Sequence, residues 1–328
     1  MKRRTLLAGA AALAVSAAVS PVFAQGWQPT QPVELVVHGG PGSGNDVMAR
    51  QLTTIIEQEK LSPVRIQVSN RVGGGSTTAS AYMASKKGDP NTIAVFTIVW
   101  VTDPITQEAA KIKLTDLTPI TRLIEEPALI VVRADAPYKT LKDFVDAAKS
   151  KPGQLKQSGG SITSRDNILR QLIMKQTGAN WVFIPFPGGG ERIAALLGGN
   201  TDIMITDPSE TGEQVRAGKL RVLAQVGQSR LDTFKDVPTL KEAGFDFQDI
   251  PQTRGIVGPP NMPPEALKYW EGFFEKVRKT AGWKKFLADN QLLGVDEKSA
   301  DTTKFLGTYE DMLRVVLKEA GAKVVEKK

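Results

Sequence analysis

The chain has 328 residues, 41% hydrophobic and 23% charged, with no cysteine, one histidine and a formal charge of +7. This composition excludes a disordered chain, a disulfide-stapled module and thiolate chemistry, and it leaves a metal site with carboxylates almost alone. Basic residues are scattered among acidic ones without aromatic interleaving, which excludes a nucleic-acid patch, and the length is enough for two domains.

Lys2, Arg3 and Arg4 precede a small-residue apolar run at 6–19 that ends on Val22-Phe23-Ala24. This reads as a secretory signal peptide over 1–24, cut after Ala24. The run is shorter than the roughly 20 apolar residues of a membrane span. Arg3-Arg4-Thr5-Leu6-Leu7 also resembles a twin-arginine export signal. The leader holds three basic residues and no acidic one, which leaves the mature chain +4 of the +7.

From residue 33 onward, short β-branched runs alternate with amphipathic stretches. That pattern predicts α/β architecture with largely parallel sheets. Strands are expected at 33–37, 64–69, 92–98, 128–132, 181–184, 203–206 and 220–225, and helices at 46–59, 79–86, 141–149, 167–176, 191–197, 208–217 and 263–280. No long Gly/Ser or Pro-rich linker separates domains. A crossing near 121–127 and a return near 248–255 predict a discontinuous domain 1 (26–124 plus 252–328) and a continuous domain 2 (125–251). The tail supplies Trp270, Phe273, Phe274, Trp283, Phe286 and Leu287, which read as core packing, and 323–328 reads as a frayed charged end.

Four junctions share one form, a strand followed by a glycine- or hydroxyl-rich turn and a helix start. The first is His38-Gly39-Gly40-Pro41-Gly42-Ser43-Gly44-Asn45-Asp46; the others begin at Gly73, Ser158 and Phe186. Backbone N–H groups and the positive end of a helix dipole converge at such turns, so jointly they suit an anion. A dinucleotide fingerprint begun at Gly40 needs glycine where Asn45 stands, and a P-loop begun at Gly39 needs lysine there. A nucleophile elbow centred on Ser43 fails at Pro41 and Asn45, and a Ser/His/Asp triad has only His38 to use. No catalytic residue, metal ligand or cofactor follows. His38 reads either as an anion contact or as a partly buried polar group bonded to backbone, and Asp46 as a helix N-cap. The stretch 158–167, with Ser161, Thr163, Ser164 and Arg165, is the densest donor set in the chain. Trp100, at the end of the third strand, is expected in a pocket wall.

These motifs resemble those of the extracytoplasmic substrate-binding proteins of tripartite tricarboxylate transporters, the Bug family. The likeness rests on Asn70-Arg71-Val72-Gly73-Gly74-Gly75, Ile184-Pro185-Phe186-Pro187-Gly188-Gly189-Gly190, Ala217-Gly218-Lys219-Leu220-Arg221, Asp236-Val237-Pro238-Thr239-Leu240 and Arg254-Gly255-Ile256-Val257-Gly258-Pro259-Pro260, in that order. The resemblance implies a periplasmic-binding-protein-like fold of two α/β domains, closing on a di- or tricarboxylate or an aromatic carboxylate. It implies docking on the transporter's membrane permease subunits, no enzymatic activity, and a monomer in the periplasm. Carried over to this chain, the ligand is held by Gly39, Gly40, Gly42, Ser43, Gly44 and Asn45, by Ser161, Ile162, Thr163, Ser164 and Arg165, and by Phe186, Pro187, Gly188, Gly189, Thr206 and Asp207, to which His38 is added from its place at the mouth of the first turn. Trp100, Ile162 and Phe186 then form the apolar wall. His38 and Asp207 depart from the family's usual apolar or small residue and asparagine. The other readings are a ligand-loaded sensor for a signalling receptor and, against the failed motifs, an envelope hydrolase.

Overall fold

The computed structural model describes residues 26–227 and 229–326. The expected leader, 1–24, and the last two residues of the expected frayed end lie outside the described residues.

The chain begins by alternating strands and helices: β1 (Val33–Val37), α1 (Gly44–Gln58), β2 (Ile66–Asn70), α2 (Thr77–Ser85), β3 (Thr92–Phe96), α3 (Val99–Thr106) and β4 (Thr118–Glu126). It crosses at Pro127 and continues through β5 (Ala128–Arg133), α4 (Leu141–Ser150), β6 (Lys156–Gly159), α5 (Arg165–Thr177), β7 (Val182–Pro185), α6 (Gly189–Leu197), β8 (Ile203–Thr206), α7 (Pro208–Arg216) and β9 (Leu220–Val226). It returns into β10 (Gln252–Gly258), then α8 (Pro264–Lys279), α9 (Ala281–Asn290), β11 (Leu293–Lys298) and α10 (Ser299–Glu319).

Two sheets result, ordered β11-β4-β10-β3-β1-β2 and β7-β6-β8-β5-β9. β1 is parallel to β2 and β3, and β6 to β7 and β8, as alternating βα units require. The expectation of largely parallel sheets needs correcting at the crossings. β10 runs antiparallel to β3 and β4, and β5 runs antiparallel to β8 and β9. Strands that carry the chain directly from one sheet to the other enter without a crossover helix, so their direction is free of the parallel rule.

Local chemistry sets the helix ends. Thr140 caps α4 by accepting the Asp143 N–H, while Asp143 accepts the Thr140 N–H in return. α5 stops at Gly178 in the left-handed region (φ 74°). β4 escapes an apolar-run search because its middle carries Arg122, which is paired in-sheet with Glu125 (2.6 Å) and Glu297 (2.5 Å). The strand expected to run to 98 ends at Phe96, and α3 starts at Val99.

Trp270, Phe273, Phe274, Trp283 and Phe286 are buried against α1, β1 and β3. A second core runs from β3 and α3 through α10 into α4, α5 and β5. The expected frayed end is tied down over its described part. The Val325 N–H donates to the Ile105 carbonyl at 2.7 Å and Val324 packs on the core.

Candidate functional site

The two sheets face each other across a cleft of about 430 Å³, entered between the glycine turns after β1 and β2 on one side and the turns after β6 and β7 on the other. The first turn is already engaged. Gly40 N–H donates across the cleft to the Pro187 carbonyl at 2.7 Å, and Ser43 N–H to the Gly40 carbonyl at 3.1 Å. Gly42 N–H donates to Asp46 at 2.9 Å, and Gly44 N–H to the Glu210 carboxylate from the opposite wall. Asp46 is therefore not the N-cap of α1. Ser43 holds that position, while Asp46, two residues past Gly44, reaches back to Gly42 and also accepts from Asn70 and Arg50.

His38, the residue after β1, is held from behind. Its Nδ1 accepts the Trp100 indole N–H at 3.0 Å and the Asn45 amide at 2.8 Å, with the Asn45 oxygen accepting from Ser43 at 2.6 Å. An indole nitrogen only donates, so Nδ1 is the acceptor and the ring proton sits on Nε2, leaving an N–H donor at the cleft lining. Burial, with the nearby Arg254 guanidinium adding to it, pushes the His38 pKa down to about 3. His38 is thus a neutral donor at working pH.

As pH falls below the ordinary value of 6.5, the unfolded chain takes up the proton and the native chain does not, so His38 lowers stability by about 1.4 kcal/mol per pH unit until about pH 3. His38→Gln is expected to remove that slope from urea-unfolding free energies measured at pH 7, 6 and 5. Parallel pH profiles for variant and wild type would contradict the buried neutral ring.

The floor of the cleft is ionic. Arg254, in β10 and 2% exposed, donates through Nε to Glu126 at 2.7 Å and through Nη2 to Asp207. Arg165 donates to Asp207 at 2.7 Å and to the Glu126 and Pro127 carbonyls at the crossing. Arg192 pairs with Glu210 and lies 3.7 Å from Asp166. Burial pushes Glu126 up to about 7, with Arg254 opposing and Asp207 reinforcing the rise, and burial likewise raises Glu210 and Asp166. No guanidinium among these is without a carboxylate partner. The described residues hold no cluster of metal-ligating side chains.

The sequence matches the tripartite tricarboxylate transporter family receptor over residues 48–321. The chain belongs to this family. This receptor is 31% identical over 296 residues to the "UPF0065 protein in gbd 5'region" of Cupriavidus necator, covering 88% of each chain. Its fold is that of periplasmic binding protein BugD (TM-score 0.84, 19% identity, 90% of this chain and 99% of that one). It also matches R. palustris Rpa4515 solved with adipate (TM-score 0.84, 21% identity, 90% and 98%). The family is one of non-enzymatic solute-binding receptors, which removes the hydrolase reading.

Within this receptor, most of the expected site residues line the cleft: His38, Gly39 and 43–45, 161–162 and 164–165, 186–189, Thr206 and Asp207. Gly40, Gly42, Trp100 and Thr163 lie outside the lining. Trp100 sits in α3, 1% exposed, behind His38 rather than in the wall. Thr163 accepts the Thr102 hydroxyl at its carbonyl (2.7 Å) and donates its own hydroxyl to Asp103, so it joins the two halves beside the cleft. Arg165 and Asp207 line the cleft as each other's partner. Sequence reasoning missed Arg192, Glu210 and Arg254, and also the apolar wall residues Ile98 and Val99. The one signal was a charge, Arg254, leading into the short apolar run of β10.

Proposed function

We propose that this receptor captures an organic carboxylate in the periplasm and presents it, closed, to the membrane permease subunits of a tripartite tricarboxylate transporter. The two closing bodies are 26–124 plus 252–328, and 125–251, in a monomer released from its leader 1–24 on export. The observation that carries this reading is a cleft walled on both sides by strand-to-helix turns, with the His38 Nε2–H on one side and the main chain of the turn at Ser161 and Ile162 on the other. Such donors stabilise an anion without a dedicated free cation. The adipate held by Rpa4515 supports the same ligand class. Hinge closure gives the permease a shape that depends on ligand.

Thermal unfolding of the purified protein against mono-, di-, tri- and aromatic carboxylates tests the reading. A true ligand at 100 times its dissociation constant is expected to stabilise by about 2.7 kcal/mol. Midpoint shifts with sugars or amides only would overturn it.

A further inference from the structure

Glu210, in the first turn of α7, has a side chain with no solvent exposure. One carboxylate oxygen accepts the N–H of Gly44, the first residue of α1 on the facing wall. The other accepts the Arg192 guanidinium and the Thr206 hydroxyl, the latter at 3.0 Å. A helix-terminal N–H, a hydroxyl and a guanidinium converging on one carboxylate are the donors that recognise a ligand carboxylate. The α1 N-terminus can come this close to the ionic floor only as glycine, since a Cβ on Gly44 would meet the Arg254 guanidinium and come within 2.7 Å of Asp207.

We propose that Glu210 is an internal counter-ligand that sets specificity: it fills the deep anion seat of the cleft, so the cleft takes a ligand bearing one carboxylate, bound near His38 and the 161–162 turn, on an uncharged body. This rests on the carboxylate reading above. Arg165, Arg192 and Arg254 face Glu126, Asp166, Asp207 and Glu210, one carboxylate more than guanidinium groups. A second ligand carboxylate at that depth meets like charges and no uncommitted cation. The wall also carries an apolar part, with Ile98 and Val99 inside and Val72 and Ile162 exposed at the rim (43% and 62%), beside the uncharged Thr97, Gln107 and Gln252.

The test is Glu210→Ala with acetate as probe. The variant exposes Gly44 N–H, Thr206 and Arg192 around a carboxylate-sized gap, so saturating acetate is expected to raise its unfolding midpoint by about 5 °C more than it raises that of the wild type, whose site near His38 both proteins share, while acetamide produces no such difference. The variant is also expected to gain tenfold or more in affinity for straight-chain dicarboxylates relative to the matching monocarboxylates. Equal acetate responses in variant and wild type, or none in either, would overturn the proposal. Glu210→Gln keeps the side-chain volume and serves if the alanine variant does not fold. It is expected to shift preference toward dicarboxylates, and an unchanged preference counts against the proposal. The two readings fail separately: acetate rescue without any carboxylate bound by the wild type removes the functional reading alone, and carboxylate binding without rescue removes this one alone.

Discussion

Arg254→Leu is expected to lower the unfolding free energy by about 3–5 kcal/mol at neutral pH, the cost of removing one partner from a buried ion pair. The guanidinium bridges Glu126, 3% exposed, and Asp207, 8% exposed, so leucine leaves two carboxylates in the floor of the cleft with one cation fewer. Arg254 is the main group holding down the Glu126 pKa, already near 7, and its loss raises that value further. A carboxylate whose folded pKa lies above its unfolded value of 4.5 makes the native state the better proton binder below that folded value. The deficit of the variant is therefore larger at pH 8 than at pH 5.5. Urea unfolding at the two pH values measures both effects. Replacing Glu126 by leucine in the same chain is expected to restore part of the loss, because apolar groups then pack where a lone charge stood. A loss below about 1 kcal/mol at pH 8 would show that the cluster does not depend on this arginine.

The same cluster explains how much of the receptor could be read from its residues. β1, β3 and β5 are apolar runs and α1, α4 and α8 carry clear amphipathic faces, so the α/β alternation was legible. β4, β10 and β11 were not, because their charged residues read as loop. Arg122 meets Glu297, and Arg254 meets Glu126 and Asp207, across 175, 128 and 47 residues respectively, and a partner that distant leaves no local pattern. The glycine turns were legible as strand, turn and helix start. Their closed state was not, since Gly40 and Gly44 donate to Pro187 and Glu210 on the facing wall. Glu210 was masked by its position. An acidic residue in a helix's first turn is the ordinary signature of capping, and nothing in the local sequence distinguishes one that reaches across a cleft.

Gly189→Ala is expected to weaken ligand binding by about 10- to 100-fold while lowering the unfolding free energy by less than about 1 kcal/mol, because an opened cleft relieves the contact. Gly189 is the first residue of α6, where alanine is favourable and no left-handed conformation is needed, so the substitution carries no local strain. Its only new contacts lie across the cleft. The added methyl runs into the Gly42 carbonyl and comes within 3.0 Å of the Ser43 Cα, both main-chain atoms that cannot rotate away. Overpacking of this kind costs about 1–3 kcal/mol, and here the cost falls on the closed arrangement alone, because opening the cleft relieves it. The affinity loss is therefore a tax on closure, read in the dissociation constant and in a larger radius of gyration with ligand present. Alanine at Gly190, the next residue, meets nothing within 4 Å and is the matched control. Equal affinities for the two variants would mean that the ligand binds without the turns after β1 and β7 coming together, and closure would then not be what the permease reads.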